Sequence, residues 1–457
     1  MGLTSEISPR KVHIVGIGGA GMSAIAIVLT QQGVRVSGSD LKASVAFERL
    51  RAHGVELHLG HSESNVDDAE LVAISSAIPK SNPEVRWAEQ NGIPVVSRSE
   101  LLPMMISEKV VLGVAGTHGK TTTTSMLALS LMHAGRRPSF IVGGELNEIG
   151  TNALWDDGEE LVIEADESDG TFLHLGCFGV IVTNIESDHL DFYGSYDALR
   201  SSFRDFVLSA PGPKVICADS PDAESLLDIS GTVSYGFSDQ ADYRISDVVP
   251  TRSNTLFKVS NKSFGKVEVA LAVPGRHNVS NATAVIALSN ELGADLEAVI
   301  SALSLFTGVA RRYQYRGTYH GATLVDDYAH LPGEIDVVLD TAASQGYQRV
   351  VAVFQPHRYS RTAALYGDFA KSFSKADVVV ITDVYSAGEM PIPGITGELI
   401  SSLVKTDFPD KEVHYLPQRH RVASFVQSLL RPGDICITLG AGDLTLLYGE
   451  MPGEPDL

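Results

Sequence analysis

Lys120 and Thr121 are the residues with the clearest chemistry. They close the run Gly116-Thr117-His118-Gly119-Lys120-Thr121, and Thr122 follows. An ammonium and a hydroxyl placed directly after a glycine turn can meet the β- and γ-phosphates of a nucleotide and a Mg²⁺ ion. The eight-residue form of this loop starts on glycine. Here Val114 holds that place, so the match is to the shorter G-x-x-G-K-T. A second group is acidic: Glu164, Asp166, Glu167 and Asp169 follow the apolar run 161–163. Carboxylates ending a buried strand beside a phosphate loop suit Mg²⁺, which takes oxygen ligands. A solvated acidic loop is the plainer alternative. His189, between Asp188 and Leu190, is either a metal ligand or a structural hydrogen-bonding residue.

Other candidates lie at both ends of the chain. Gly16-x-Gly18-x-x-Gly21 with Asp40 behind it matches a dinucleotide fingerprint. It would set a nucleotide or nucleotide-sugar diphosphate on a helix N-terminus, or else be a tight turn without a ligand. His277 or Asn278 could meet a base edge or cap a helix. The adjacent Arg311 and Arg312 could clamp phosphate or be solvated. Polar clusters stand at 326–330 (DDYAH), 355–361 (QPHRYSR) and 383–389 (DVYSAGE).

These residues need strands that end where they begin. Apolar runs at 110–114, 161–163 and 180–182 read as buried strands around the phosphate loop, and Met126, Leu127, Leu129, Leu131 and Met132 mark the helix after it. Strand-like runs at 11–15, 34–37, 56–59, 71–75 and 94–96 form a first α/β domain. Runs at 323–325, 350–354, 378–382 and 435–439 form a third. In open α/β sheets, ligands sit outside the carboxyl ends of the strands, where the three polar clusters fall. The expected fold is therefore α/β with three domains: Rossmann-like over 1–107, a central ATPase-like parallel or mixed sheet over 108–314, and Rossmann-like over 315–457.

The 457 residues carry 35 basic and 56 acidic side chains, a net charge of −21, which argues against nucleic acid or an anionic membrane as partner. The three cysteines, Cys177, Cys217 and Cys436, lack metal spacing and fit a reducing cytoplasm. The first ten residues are polar and short, not a secretory signal, and no apolar run approaches a membrane span.

The stretches HIVGIGGAGMSAIA, GTHGKTTT, EADESD, TNIESDHLD, PGRHNVSNA, GVARRYQ, DDYAH, FQPHRYSRT and DVYSAGE, in that order, resemble the Mur ligases of peptidoglycan precursor synthesis. Within that family the pattern is nearest the alanine-adding branch. The resemblance implies an ATP-dependent ligase that joins L-alanine to the lactyl carboxylate of UDP-N-acetylmuramate through an acyl phosphate. It implies ATP and Mg²⁺, a cytoplasmic location, and a monomer or weak homodimer. Gly18, Gly19, Ala20, Gly21, Met22 and Ser23 would hold the diphosphate, with Asp40, His61 and Ser75 or Ser76 near the uridine. Gly116 to Thr122 would bind ATP, Lys120 meeting the γ-phosphate. Thr121 would hold one Mg²⁺, and Glu164 and His189 a second. Asn278 would meet adenine, Arg312 the phosphates and Asp327 the ribose. Tyr328, His330, His357, Arg358 and Arg361 would lie near the amino acid and the acyl phosphate. His330 or a nearby carboxylate would take the proton of the amine.

Two departures stand out. Leu331 replaces the family's second histidine, and no lysine lies between Lys120 and Lys214 to serve as the modified lysine of sister ligases. The rivals are a ligase adding a whole tripeptide to the same UDP-sugar, an NAD-dependent oxidoreductase and a non-catalytic nucleotide switch.

Overall fold

The computed structural model describes residues 9–43, 45–75, 77–251 and 254–451. The polar first eight residues and Ser76 lie outside it. The chain divides into two compact units. One comprises 1–247, 257–271 and 278–306; the other comprises 248–256, 272–277 and 307–457.

The first unit opens with alternating strands and helices: β1 (Lys11–Val15), α1 (Ala20–Gln31), β2 (Arg35–Asp40), α2 (Val45–Ala52), β3 (Glu56–Leu59), β4 (Leu71–Ile74), α3 (Pro83–Gln90), β5 (Val95–Ser97) and α4 (Arg98–Ile106). The five strands form a sheet ordered β3-β2-β1-β4-β5, parallel throughout. β1 is buried at every position, as the centre of a sheet covered on both faces must be. Sequence order reverses between β1 and β4, which is where ligands of such sheets bind.

The second sheet is built from β6 (Val110–Ala115), α5 (Lys120–His133), β7 (Ser139–Leu146), β8 (Thr151–Leu154), β9 (Glu160–Glu164), β10 (Gly179–Val182), α6 (Leu190–Tyr193), α7 (Tyr196–Ser209), β11 (Lys214–Cys217), α8 (Pro221–Glu224), β12 (Thr232–Gly236), β13 (Tyr243–Pro250), β14 (Thr255–Asn261), β15 (Gly265–Leu271), α9 (Arg276–Glu291) and α10 (Leu296–Leu305). Its strand order is β15-β14-β13-β12-β11-β10-β6-β9-β7-β8. β6 sits between β10 and β9, parallel to both, so the phosphate loop, the acidic run and the loop at 183–189 leave the sheet at one edge.

The other unit carries β16 (Gln314–Tyr319), β17 (Ala322–Asp327), α11 (Pro332–Ser344), β18 (Arg349–Phe354), α12 (Tyr359–Lys371), β19 (Val378–Thr382), α13 (Gly397–Asp407), β20 (Glu412–Leu416), α14 (Val422–Leu429) and β21 (Asp434–Leu439). Its sheet runs β16-β17-β21-β18-β19-β20, with β16 antiparallel at the edge. Layers of Phe354, Phe369 and Phe373 fill one side of it.

The expected α/β architecture with three sheets is present. Two boundaries differ. Asp40 is the last residue of β2, and Asp326 and Asp327 are the last residues of β17, not members of loops. The antiparallel pairs β7–β8 and β16–β17 had no reading in the sequence.

Candidate active site

The phosphate loop is held from below. Thr183 donates its hydroxyl to the His118 carbonyl at 2.6 Å, and the Asn184 amide spans His118, accepting from its N–H at 2.8 Å and donating to its carbonyl at 3.0 Å. The Glu186 N–H donates to Thr117 Oγ1 at 2.8 Å. Gly116 has φ +139°, and a Cβ there would stand 2.1 Å from Thr183 Oγ1. Gly119 has φ +82° and caps α5 without any side-chain acceptor. The first-turn amides of α5 are therefore offered to a ligand, the arrangement that binds phosphate at a helix start.

Lys120 Nζ lies 2.9 Å from Glu167 and donates to the carbonyls of Gly116 and Thr117 at 2.6 and 3.2 Å. Burial favours the neutral amine, but Glu167, Asp166 and Glu164 together hold the ammonium above its ordinary range. The Thr121 hydroxyl donates to Glu164 at 2.9 Å, and the other Glu164 oxygen accepts from Gly143 N–H at 2.7 Å. A hydroxyl and a carboxylate sharing one point at the start of α5 are the hard oxygen donors that Mg²⁺ takes, so these residues fit that ion. His189 is not joined to them by a direct contact. Its φ is +53° and its Nε2 lies 3.4 Å from Asp188, on a turn that Tyr193 ties to the Glu167 carbonyl at 2.5 Å. Among the described residues no three His, Cys, Asp or Glu side chains form a metal cluster. Asn278 is buried in α9, 3.5 Å from Asn281, whose amide stands against Gly119. That brings Asn278 to the loop.

At the first sheet the Gly18 N–H donates to Asp40 at 3.0 Å, so the acid braces the glycine loop. Gly18 to Gly21 are at the surface. Met22 and Ser23 are buried in α1, the Ser23 hydroxyl donating to the Ala20 carbonyl, so their side chains face inward. Ser75 crowds Gly16, where a Cβ would sit 2.8 Å from its hydroxyl. His61 is fixed through Nδ1 to Ser39 and Glu84. A cavity of about 180 Å³ joins the two sheets: Ala20 and Gly21 line one side, Glu164 and Asp166 the other, and Arg98 lies between them, 3.3 Å from Asp166.

The other unit gathers the remaining candidates. His330 and His357 face edge to plane at 5.8 Å, His357 stacks on Tyr385, and Tyr328 packs on His330. Arg361 approaches His357 Nδ1 at 3.4 Å. Arg358 opens α12 at φ +71°, its N–H donating to the Tyr385 carbonyl at 2.8 Å. Burial pushes His330 down and His357 down to about 4, with neighbouring charge adding to the latter, so both rings are neutral at pH 7. Arg311 and Arg312 both lie against the Tyr328 ring, and Arg311 also donates to the Gly440 carbonyl at 2.7 Å. Arg311 is thus a brace and not half of a solvated pair. Asp327 is turned inward, its oxygens accepting from Tyr313 and Ala329 N–H at 2.7 Å each, and burial raises it to about 6.

Sequence reasoning missed three residues that shape these sites. Glu84 and Arg98 stand apart from every motif. The bracing role of Asn184 lies in TNIESDHLD, but nothing in its spacing tells a brace from a ligand.

The geometry defines a class first: an α/β enzyme with a phosphate loop and a separate glycine loop. Three family models match in succession: the Mur ligase family catalytic domain at 11–110, the Mur ligase middle domain at 114–289, and the Mur ligase glutamate ligase domain at 311–442. The chain belongs to the Mur ligase family, whose members are ATP-dependent ligases. It is 43% identical to the UDP-N-acetylmuramate–L-alanine ligase of Allorhizobium ampelinum, over 97% of this chain and 96% of that one. It is 45% identical to the enzyme of the same name from Rubrobacter xylanophilus, over 96% and 99%. The crystal structure of UDP-N-acetylmuramate–alanine ligase from Thermotoga maritima superposes with a TM-score of 0.84 at 32% identity, over 96% and 97%. Among the described residues no helix is long and apolar enough to cross a membrane.

Proposed function

We propose that this enzyme joins L-alanine to the lactyl carboxylate of UDP-N-acetylmuramate, with ATP converted to ADP and phosphate. The observation that carries this reading is the shared cavity, which opens on the glycine loop at Ala20 and Gly21 and on the carboxylate at Glu164. A UDP-sugar held by its diphosphate at one end would have its acid directed toward the ATP loop at the other. The alanine-ligase names of the 43% and 45% identical relatives support the amino acid. Nothing favours the tripeptide-adding alternative. The domain division is 1–107 for the UDP-sugar, 108–314 for ATP and 315–457 for the amino acid.

The chemistry follows from the groups. Carboxylate and γ-phosphate are both anions, so their approach is opposed by charge. Lys120, held as an ammonium, and the open amides of α5 offset that repulsion where it develops. Thr121 and Glu164 would hold Mg²⁺, which supplies further neutralisation of phosphate charge; His189 would assist on the same side. Asn278 would meet adenine, Arg312 the phosphates and Asp327 the ribose. Transfer of the phosphoryl group leaves an acyl phosphate on the lactyl oxygen. The alanine amine then attacks the acyl carbon, phosphate leaves, and an amide forms. Neutral His330 can accept the amine's proton, with His357 beside it. Arg358 and Arg361 would hold the amino-acid carboxylate.

The test is phosphate release with UDP-N-acetylmuramate across a panel of amino acids and the tripeptide, together with borohydride trapping of the acyl phosphate without amino acid. Release with alanine and a reduced sugar alcohol are expected. Release with the tripeptide alone would overturn the assignment.

A further inference from the structure

The run 383–389, DVYSAGE, braces the start of α12 at three points. β18 and β19 run parallel, with Phe354 level with Ile381. Beyond the sheet His357 is level with Tyr385, so one extra residue has entered on the β19 side. Such an insertion bends its strand and re-aims the side chains near it. Asp383 holds the bend, accepting the N–H groups of Val384 at 2.9 Å and Gly397 at 3.1 Å. Tyr385 holds the turn 356–358. Its N–H donates to the Pro356 carbonyl and its carbonyl accepts from Arg358 N–H, both at 2.8 Å. Its ring lies 10° from the plane of the His357 ring, with 5.7 Å between centres. Gly442 also abuts it: a Cβ there would stand 2.8 Å from the ring. Glu389 accepts the N–H and the hydroxyl of Ser360 at 3.0 and 2.6 Å.

These bonds enforce a costly backbone. Arg358 has φ +71° and ψ 136°, a region that glycine visits and residues with a Cβ avoid. Contacts of its own side chain do not offset that cost. The residue is exposed, and among the described residues no hydrogen bond or ion pair reaches its guanidinium. The chain thus holds a strained residue and presents a free cation beside His357, in a protein of net charge −21. Tyr385, His357 and Arg358 belong to the unit of β16–β21, whereas Lys120, Thr121 and Glu164 belong to the other. We infer that Tyr385 is a positioning residue for the amino-acid step: its ring and main chain hold His357 and Arg358 for the incoming amino acid and leave phosphoryl transfer untouched. This rests on the ligase reading above and adds a residue which that reading does not use.

Four substitutions separate positioning from simple support. Tyr385→Phe keeps the ring and both main-chain bonds. Tyr385→Leu keeps the bonds and removes the flat ring beside His357. Arg358→Gly relieves the strain, and Arg358→Ser retains it. At an ordinary helix start serine outranks glycine, so the order of these two reports the backbone and not the cap. A merely structural loss at Tyr385 would depress both half-reactions together.

The experiment measures ADP release against alanine concentration, borohydride trapping of the acyl phosphate without amino acid, and thermal melts. Tyr385→Leu is expected to lower kcat/KM for alanine by more than about tenfold, while trapped acyl phosphate stays within about twofold of wild type. Tyr385→Phe should stay within about threefold of wild type in both, since the ring and not the hydroxyl does the holding. Arg358→Gly should melt above Arg358→Ser. An unchanged kcat/KM for alanine in Tyr385→Leu, or acyl phosphate lost to the same degree, overturns the proposal. So does Tyr385→Phe impaired as far as Tyr385→Leu. Arg358→Ser melting above Arg358→Gly overturns it too, and that comparison stands even if Tyr385→Leu does not fold. A wild type that releases ADP with alanine yet yields no trapped acyl phosphate overturns the two-step reading, and the step assignment with it.

Discussion

Lys120 is half of a buried ion pair and, in the proposed reaction, the charge that meets the γ-phosphate. Its side chain is 13% exposed and that of Glu167 2%. In the proposed reaction Lys120→Ala removes the charge that screens phosphoryl transfer, so turnover should fall by roughly 10³-fold or more. It also leaves Glu167 buried and alone, which costs about 3 kcal/mol. The double variant Lys120→Ala/Glu167→Gln should recover most of that stability and none of the turnover. Urea midpoints and ADP release on both proteins check this; equal melting of the single and double variants would count against the pair. Glu164→Gln keeps the shape of the Thr121 partner but removes its charge. The Mg²⁺ concentration for half-maximal ADP release should then rise more than about tenfold.

The elements carry two further expectations. The loop between β6 and α5 leaves no room at Gly116, where both φ and the Thr183 hydroxyl exclude a side chain. Gly116→Ala should cost about 2 kcal/mol or more and weaken ATP binding, read by thermal melts and nucleotide titration. In the first sheet, burial works against the Glu84 charge, but His13, Ser39 and Asn65 outweigh it and hold the acid at about 2, below its ordinary 4.5. A depressed carboxylate stabilises above the unfolded value, and its contribution is lost as pH falls from 4.5 through 2. The acid-side loss should be about 2.4 kcal/mol larger in wild type than in Glu84→Gln, by urea melts at pH 5 and pH 2.5.

These two elements also mark the limits of sequence reading. The phosphate loop was legible because it is local: strand, glycines, Lys-Thr and helix are contiguous. Glu84 was not. It sits in an ordinary amphipathic helix, and its partners come from β1, β2, and the loop after β3, up to 71 residues away on the chain. The same holds for Arg98, which meets Asp166 only across the cavity.

At the scale of the whole molecule, the net charge of −21 makes an anion's welcome a local matter. UDP-N-acetylmuramate would bind the first unit only when folded, so at 100 times its dissociation constant it should stabilise that unit by about 2.7 kcal/mol. Hydrogen exchange with the UDP-sugar alone should slow in β1, β2 and β4. No slowing there, under conditions of saturation, would argue that the sugar nucleotide binds elsewhere.

By itself, the chain's order of residues determined the fold class, the two glycine loops and the family. Those signals depend on spacing within one strand–turn–helix, where neighbours in sequence are neighbours in space. Only the tertiary structure decided which acid pairs with Lys120, that Arg311 is a brace, that Asp327 faces inward, and that His61 meets Ser39 and Glu84 through Nδ1. Each of those outcomes depends on groups brought together by sheet order and packing, and burial then fixes charge and hydrogen-bond direction in ways no linear spacing encodes.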